Sequence, residues 1–164
     1  MDNVTIERLL QSEVATERHF IGVFASDQLP ASGTLPQRFS LIVNTAPSTQ
    51  SEGHCVAIMG NRRTLYYFDS FGRRPPRGPI RDFCTAARRQ DVVYNKVQHQ
   101  ENTEVTCAGF CIYVIREWSR GRRFRTILRH FYQIDDDDAF VRRFLLHTYG
   151  MSLPASESFD VLPR

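Results

Sequence analysis

The sequence predicts an α+β fold, a mixed central β-sheet flanked by helices. Short runs of β formers bounded by Gly, Pro and Asn turns alternate with stretches whose apolar residues recur at helical spacing. The chain of 164 residues is 41% apolar and 24% charged, which suits an ordinary globular protein with a sizeable core. Residues 1–164 are read as one domain, with 151–164 as a loose polar tail.

Val4, Ile6, Leu9 and Leu10 have helical spacing and predict a short N-terminal helix. Phe20-Ile21-Gly22-Val23-Phe24 reads as a strand, followed by a Pro- and Gly-bearing loop over Ser26 to Pro36. Phe39 to Val43 is a second strand. The polar loop Asn44 to Gly53 delivers His54, and Cys55 to Met59 is a third strand. Gly60-Asn61-Arg62-Arg63 makes a tight turn to a hairpin partner, Thr64 to Phe68. After a Gly/Pro/Arg loop, Ile80 to Arg89 reads as helix and Asp91 to Gln98 as strand. A helix is predicted from Cys107 to Trp118. Phe124, Ile127, Leu128 and Phe131 mark another. The acidic run Asp135 to Asp138 heads the last helix, Ala139 to Thr148, where negative charge suits the N-terminal dipole.

No apolar run approaches the roughly 20 residues that span a membrane. Residues Met1 to Leu10 lack a signal-peptide core, so the protein is expected in a reducing compartment and not secreted. The cysteines Cys55, Cys84, Cys107 and Cys111 suggest neither a disulfide framework nor a zinc site, and no metal is expected. The formal charge is only +3, but 20 of the 21 basic residues are arginine, Lys96 being the exception. Arginines cluster at Arg62-Arg63, at Arg73-Arg74 with Arg77, at Arg88-Arg89 and from Arg120 to Arg125. They read either as solvated faces or as a patch for nucleic acid or another polyanion.

The segment Val105-Thr106-Cys107-Ala108-Gly109-Phe110-Cys111 puts a cysteine where a polar loop becomes an apolar helix. Unpaired N–H groups and the dipole at a helix N-terminus favour the thiolate, the nucleophilic form. A cysteine hydrolase also needs a base, a group that orients the base and donors for an oxyanion. His54 sits at a loop-to-strand junction, and Asp69 ends the partner strand of the same hairpin, so the two side chains fall at paired ends. Gln100 precedes Cys107 by seven residues, close enough for its amide to fold back over the helix N-terminus. Each residue has a plainer reading, as small hydrophobe, surface histidine or turn residue; the order His54, Asp69, Gln100, Cys107 at fitting boundaries carries the inference. Cys84 and Cys111 read as core. His19, His99, His130 and His147 are weaker bases.

Over residues 18 to 118 the chain resembles the adenovirus protease (adenain) family. The resemblance rests on His19-Phe20-Ile21-Gly22-Val23-Phe24, on Ser40 to Ala46 followed by Gly53-His54, on Tyr67-Phe68-Asp69-Ser70-Phe71-Gly72, and on Gln100 with Cys107-Ala108-Gly109-Phe110-Cys111. The order also matches the wider clan of ubiquitin-like-protein proteases. The chain departs from the adenovirus pattern at Asp69, where glutamate is usual, and at Cys55, where an aromatic usually follows the histidine. Arg89 stands at the position of the cysteine that bonds a viral activating peptide. The resemblance implies an adenain-like cysteine protease fold and a viral cysteine endopeptidase that cleaves virion precursor proteins during maturation. It further implies His54, Asp69, Gln100 and Cys107 as catalytic residues, and activation by a viral peptide and by DNA with no cofactor needed for the chemistry. Location in the host nucleus and virion follows from it as well. Other expected partners are viral DNA through the arginine clusters and no membrane, with the protein a monomer. Two rival readings are a ubiquitin-like-protein protease and a catalytically dead arginine-rich nucleic-acid-binding protein.

Overall fold

A computed structural model describes residues 1–50, 53–87 and 90–154. Arg88, Arg89 and most of the predicted tail lie outside the described residues. In chain order the elements are α1 (Asn3–Gln11), α2 (Val14–Glu17), β1 (Phe20–Ala25), β2 (Phe39–Asn44), β3 (Cys55–Gly60), β4 (Thr64–Phe68), α3 (Pro79–Ala86), β5 (Asp91–Tyr94), α4 (Cys107–Ser119), α5 (Phe124–Phe131) and α6 (Asp137–Tyr149).

The strands form one sheet in the order β1-β2-β3-β4-β5. The outer pairs β1–β2 and β4–β5 are parallel, and the inner pairs β2–β3 and β3–β4 are antiparallel, so the sheet is mixed as the sequence predicts. Every residue of β3 is buried, because helices cover both faces of the sheet. On one face Ala57, Met59 and Phe68 pack under α1, α4, α5 and α6. On the other, Val56, Ile58, Leu65 and Tyr67 meet Ile80, Phe83 and Cys84 of α3. The period-2 alternation of strand side chains thus feeds two cores at once. α4 is the central helix, buried from Ala108 to Ile115. Its Gly109 lets α6 approach: a Cβ there would lie 2.5 Å from Val141 Cγ1.

Three elements differ from their predicted bounds by two residues or more, and one was not predicted. α3 ends at Ala86 and begins at Pro79, whose fixed φ suits the first helical position. β5 stops at Tyr94 rather than Gln98, because Asn95 turns inward and binds the backbone of Asp69. α6 begins at Asp137, two residues early, because Asp136 supplies the cap by accepting from the Ala139 N–H. The single turn α2 was not predicted; four residues are too few to display a period.

Candidate active site

The hairpin turning at Asn61 pairs Ala57 with Phe68 and Gly60 with Leu65. Extended past the ladder, that register sets His54 across from Phe71 and Asp69 across from Val56, so His54 and Asp69 are diagonal neighbours at one end of the sheet. His54 Nε2 donates to Asp69 Oδ1 at 2.7 Å. That leaves the other ring nitrogen for the Cys107 sulfur, with which His54 also hydrogen-bonds. Asp69 itself is buried and tightly held. Its N–H donates to Asn95 Oδ1 at 2.9 Å, its carbonyl accepts from Asn95 Nδ2 at 2.6 Å, and its carboxylate accepts from the Phe71 N–H at 2.8 Å. Gly72 closes this turn by donating to Asp69 O at 2.8 Å. Its φ of +67 and its approach to the Val97 backbone, 2.7 Å from where a Cβ would sit, leave room for no other residue.

Cys107 is the first residue of α4, as the sequence predicts. Thr106 precedes it as N-cap yet makes no side-chain cap, because its hydroxyl donates to Asp138. The Thr106 side chain therefore leaves the first N–H groups of α4 uncapped. The Cys107 thiol is lowered to about 4. The largest cause is a hydrogen bond from the Cys55 thiol. Burial opposes it; a hydrogen bond from His54, the Cys55 N–H and the imidazolium charge add to it. For His54, burial pulls the pKa down, but hydrogen bonds and charge from Asp69 and Cys107 outweigh it and hold the imidazole at about 9. Thiolate and imidazolium stabilise each other as an ion pair. The remaining cysteines are driven the opposite way. Cys55 is held well above the usual thiol range by its bond to Cys107 and by burial, Cys84 is pushed up to about 12 by burial, and burial likewise raises Cys111. Cys111 donates to Cys55 O at 3.4 Å, as a core residue under the site.

Gln100 is almost fully buried. Its Oε1 accepts from Ser70 Oγ at 2.7 Å and its Nε2 donates to Glu104 O. A carbonyl can only accept, so the Glu104 bond fixes which end of the amide is nitrogen. Nε2 carries a second N–H, which that bond leaves over for a ligand. Gln100 and Cys107 line a cleft of about 960 Å³ together with His54, Cys55 and Phe71. The arrangement can generate a thiolate near neutral pH, orient an imidazolium, and offer N–H donors beside the sulfur. Among the described residues no three His, Cys, Asp or Glu side chains gather to hold a metal ion, and no helix is long and apolar enough to cross a membrane.

Sequence reasoning missed several residues of this site. Phe71 packs on the His54 ring, centroids 4.7 Å apart. Arg73 in turn covers the Phe71 ring at 4.6 Å. The aromatic two positions after Asp69 was the available signal for Phe71. Asn95, Ser70 and the donor role of Cys55 had none. The other arginine clusters are partly engaged within the chain: Arg62 donates to Gln37, Arg120 pairs with Glu13 and Arg122 with Glu117. Arg88 and Arg89 lie outside the described residues.

No protein-family model and no curated protein matches the chain. Among solved structures, the crystal structure of the ASFV pS273R protease is similar, with a TM-score of 0.53 and 20% sequence identity. The two share a fold. The match covers 73% of this chain and 46% of that one, so this chain spans less than half the length of its structural neighbour.

Proposed function

We propose that the chain is a viral cysteine endopeptidase that cleaves virion precursor polypeptides. The observation that carries this reading is the joining of three distant side chains at one cleft: a thiol lowered to about 4 at a helix N-terminus, an imidazole held at about 9, and a carboxylate 2.7 Å from that imidazole. That the fold neighbour is a protease supports it. In the proposed mechanism His54 takes the proton of Cys107, and Asp69 orients the ring. The thiolate attacks the scissile carbonyl carbon, and the oxyanion is held by Gln100 Nε2 and the Cys107 N–H. His54 then passes its proton to the leaving amine, giving a thioester. Water, deprotonated by His54, attacks the thioester and releases the acid and the thiolate.

The test is incubation of the wild type and Cys107→Ala with the virus's own capsid precursors, followed by mapping of new termini. New termini with the wild type alone are expected; cleavage retained by Cys107→Ala refutes the assignment. Cys111→Ala is expected to keep its activity. Asp69, the usual acid of ubiquitin-like-protein proteases, favours a second reading, and release of ubiquitin-like modifiers from conjugates discriminates it. Action as a monomer in the host nucleus and virion, with a viral peptide and DNA as activators, completes the proposal by resemblance. The exposed arginines would supply the DNA contacts, and affinity that does not fall with added salt would argue against them.

A further inference from the structure

The loop from His99 to Thr106 carries Gln100 and ends at Cys107, and four of its residues are fastened to α6. His99 Nδ1 meets Asp137 Oδ2 at 2.9 Å, the Glu101 N–H donates to Asp138 Oδ2 at 2.8 Å, the Thr106 hydroxyl donates to Asp138 Oδ1, and Arg142 pairs with Glu104. Asp138 is the pivot. It is 4% exposed, and its two oxygens grip the residue after Gln100 and the residue before Cys107. A carboxylate in the first turn of a helix would serve the dipole from solvent equally well. Burial of this one against the loop is a cost that dipole complementarity does not explain. Its neighbour Asp136 already supplies the helix cap.

We infer that Asp138 is a positioning residue for the oxyanion donors: by gripping the Glu101 N–H and the Thr106 hydroxyl it fixes the separation of Gln100 Nε2 from the Cys107 N–H. The inference rests on the protease reading for its catalytic consequence, though the grip itself is readable without catalysis. A displacement of about 1 Å at such donors is enough to cost on the order of 100-fold in rate. Cys55 and His54, the named groups that favour the thiolate, lie on β3 and the loop before it, and the grip touches neither.

Asp138→Ala and Asp138→Asn would be compared with Thr106→Val and with Asp136→Ala, which removes the α6 cap and leaves the loop contacts alone. Expected for Asp138→Ala is a fall in kcat of about 10- to 100-fold with KM changed less than about threefold. Affinity for a peptide aldehyde, whose thiohemiacetal oxygen occupies the oxyanion position, falls in proportion. The rate of Cys107 alkylation by iodoacetamide at pH 6 stays unchanged. Asp138→Asn, which keeps an acceptor oxygen, recovers part of the loss, and Thr106→Val loses part. Asp136→Ala lowers the melting temperature and keeps kcat within about twofold. Should Asp138→Ala fail to fold, Asp138→Asn and Thr106→Val carry the test. Hydrogen exchange of the Glu101 amide, faster in the Asp138 variants, reads the grip in the intact chain even if no substrate is cleaved. A wild type without Cys107-dependent cleavage would sink the protease reading and leave that exchange result standing. Unchanged kcat, aldehyde affinity and Glu101 exchange in the Asp138 variants would overturn the inference, as would equal losses of kcat and of alkylation.

Discussion

The pH dependence of Cys107 alkylation follows most directly from the site. An ordinary thiol titrates near 8.5, so about 0.03% is thiolate at pH 5 and about a quarter at pH 8. Its reaction with iodoacetamide should rise nearly 1,000-fold across that span. Cys107, lowered to about 4, is already some 90% thiolate at pH 5, and its rate should change less than about twofold up to pH 8. A weaker base is also a poorer nucleophile, and with a Brønsted slope of 0.4–0.5 each Cys107 thiolate reacts about 100-fold more slowly than an ordinary one. The net expectation is a rate about 30-fold above a reference thiol at pH 5 and about 25-fold below it at pH 8, with a crossing near pH 6.5. Restricted access lowers the whole curve but does not tilt it. Cys55, Cys84 and Cys111 are buried and held protonated, so labelling followed by peptide mapping reads one site. Since the Cys55 thiol and His54 both favour the thiolate, Cys55→Ala and His54→Ala should each raise the inflection. A wild-type profile with one inflection near 8.5 would refute the ion pair, and a Cys55→Ala profile identical to wild type would refute the role of that thiol.

Three further outcomes are expected. Asp69→Asn removes a carboxylate whose hydrogen bond and charge raise His54, so the basic limb of the kcat/KM profile should move down from about 9; a limb that stays in place contradicts the pairing. Gln100→Ala deletes a side-chain N–H donor and should lower kcat about 100- to 1,000-fold with KM little altered, read by steady-state kinetics. Gly109→Ala would drive a Cβ to 2.5 Å from Val141 Cγ1 and 3.0 Å from Leu145 Cδ1. The overpacking should destabilise the fold by about 1–3 kcal/mol in denaturant unfolding, and unchanged stability would mean that α4 and α6 separate freely.

Much of this molecule is legible in its residues because the relevant constraints are local. Strand and helix periods place β1 to β4 and α4 to α6 within a few residues, and the Gly60 to Arg63 turn sets a register that brings His54 and Asp69 to the same end of the hairpin, as diagonal neighbours. The edge strand β5 reads long because Val92, Val93 and Val97 look like core residues; each is about 40% exposed, and the strand ends where Asn95 finds a buried partner. The acidic run reads as helix capping throughout, yet only Asp136 caps, while Asp137 and Asp138 turn to the Gln100 loop. His99 reads as a weak base because no strand-end acid lies near it; its partner Asp137 is 38 residues away, at the head of α6.

The chain's own spelling set the α+β class, the helix start at Cys107 and the pairing of His54 with Asp69, since turn chemistry and side-chain period act between near neighbours. Folding in three dimensions decided the rest: Phe71 over the imidazole, the Cys55 thiol on the Cys107 sulfur, Asn95 behind Asp69, and Asp138 beneath the loop. Apart from Phe71, these contacts join residues 26 to 52 positions apart, where no period relates partner to partner and only the packing of sheet, loop and helix brings donor to acceptor.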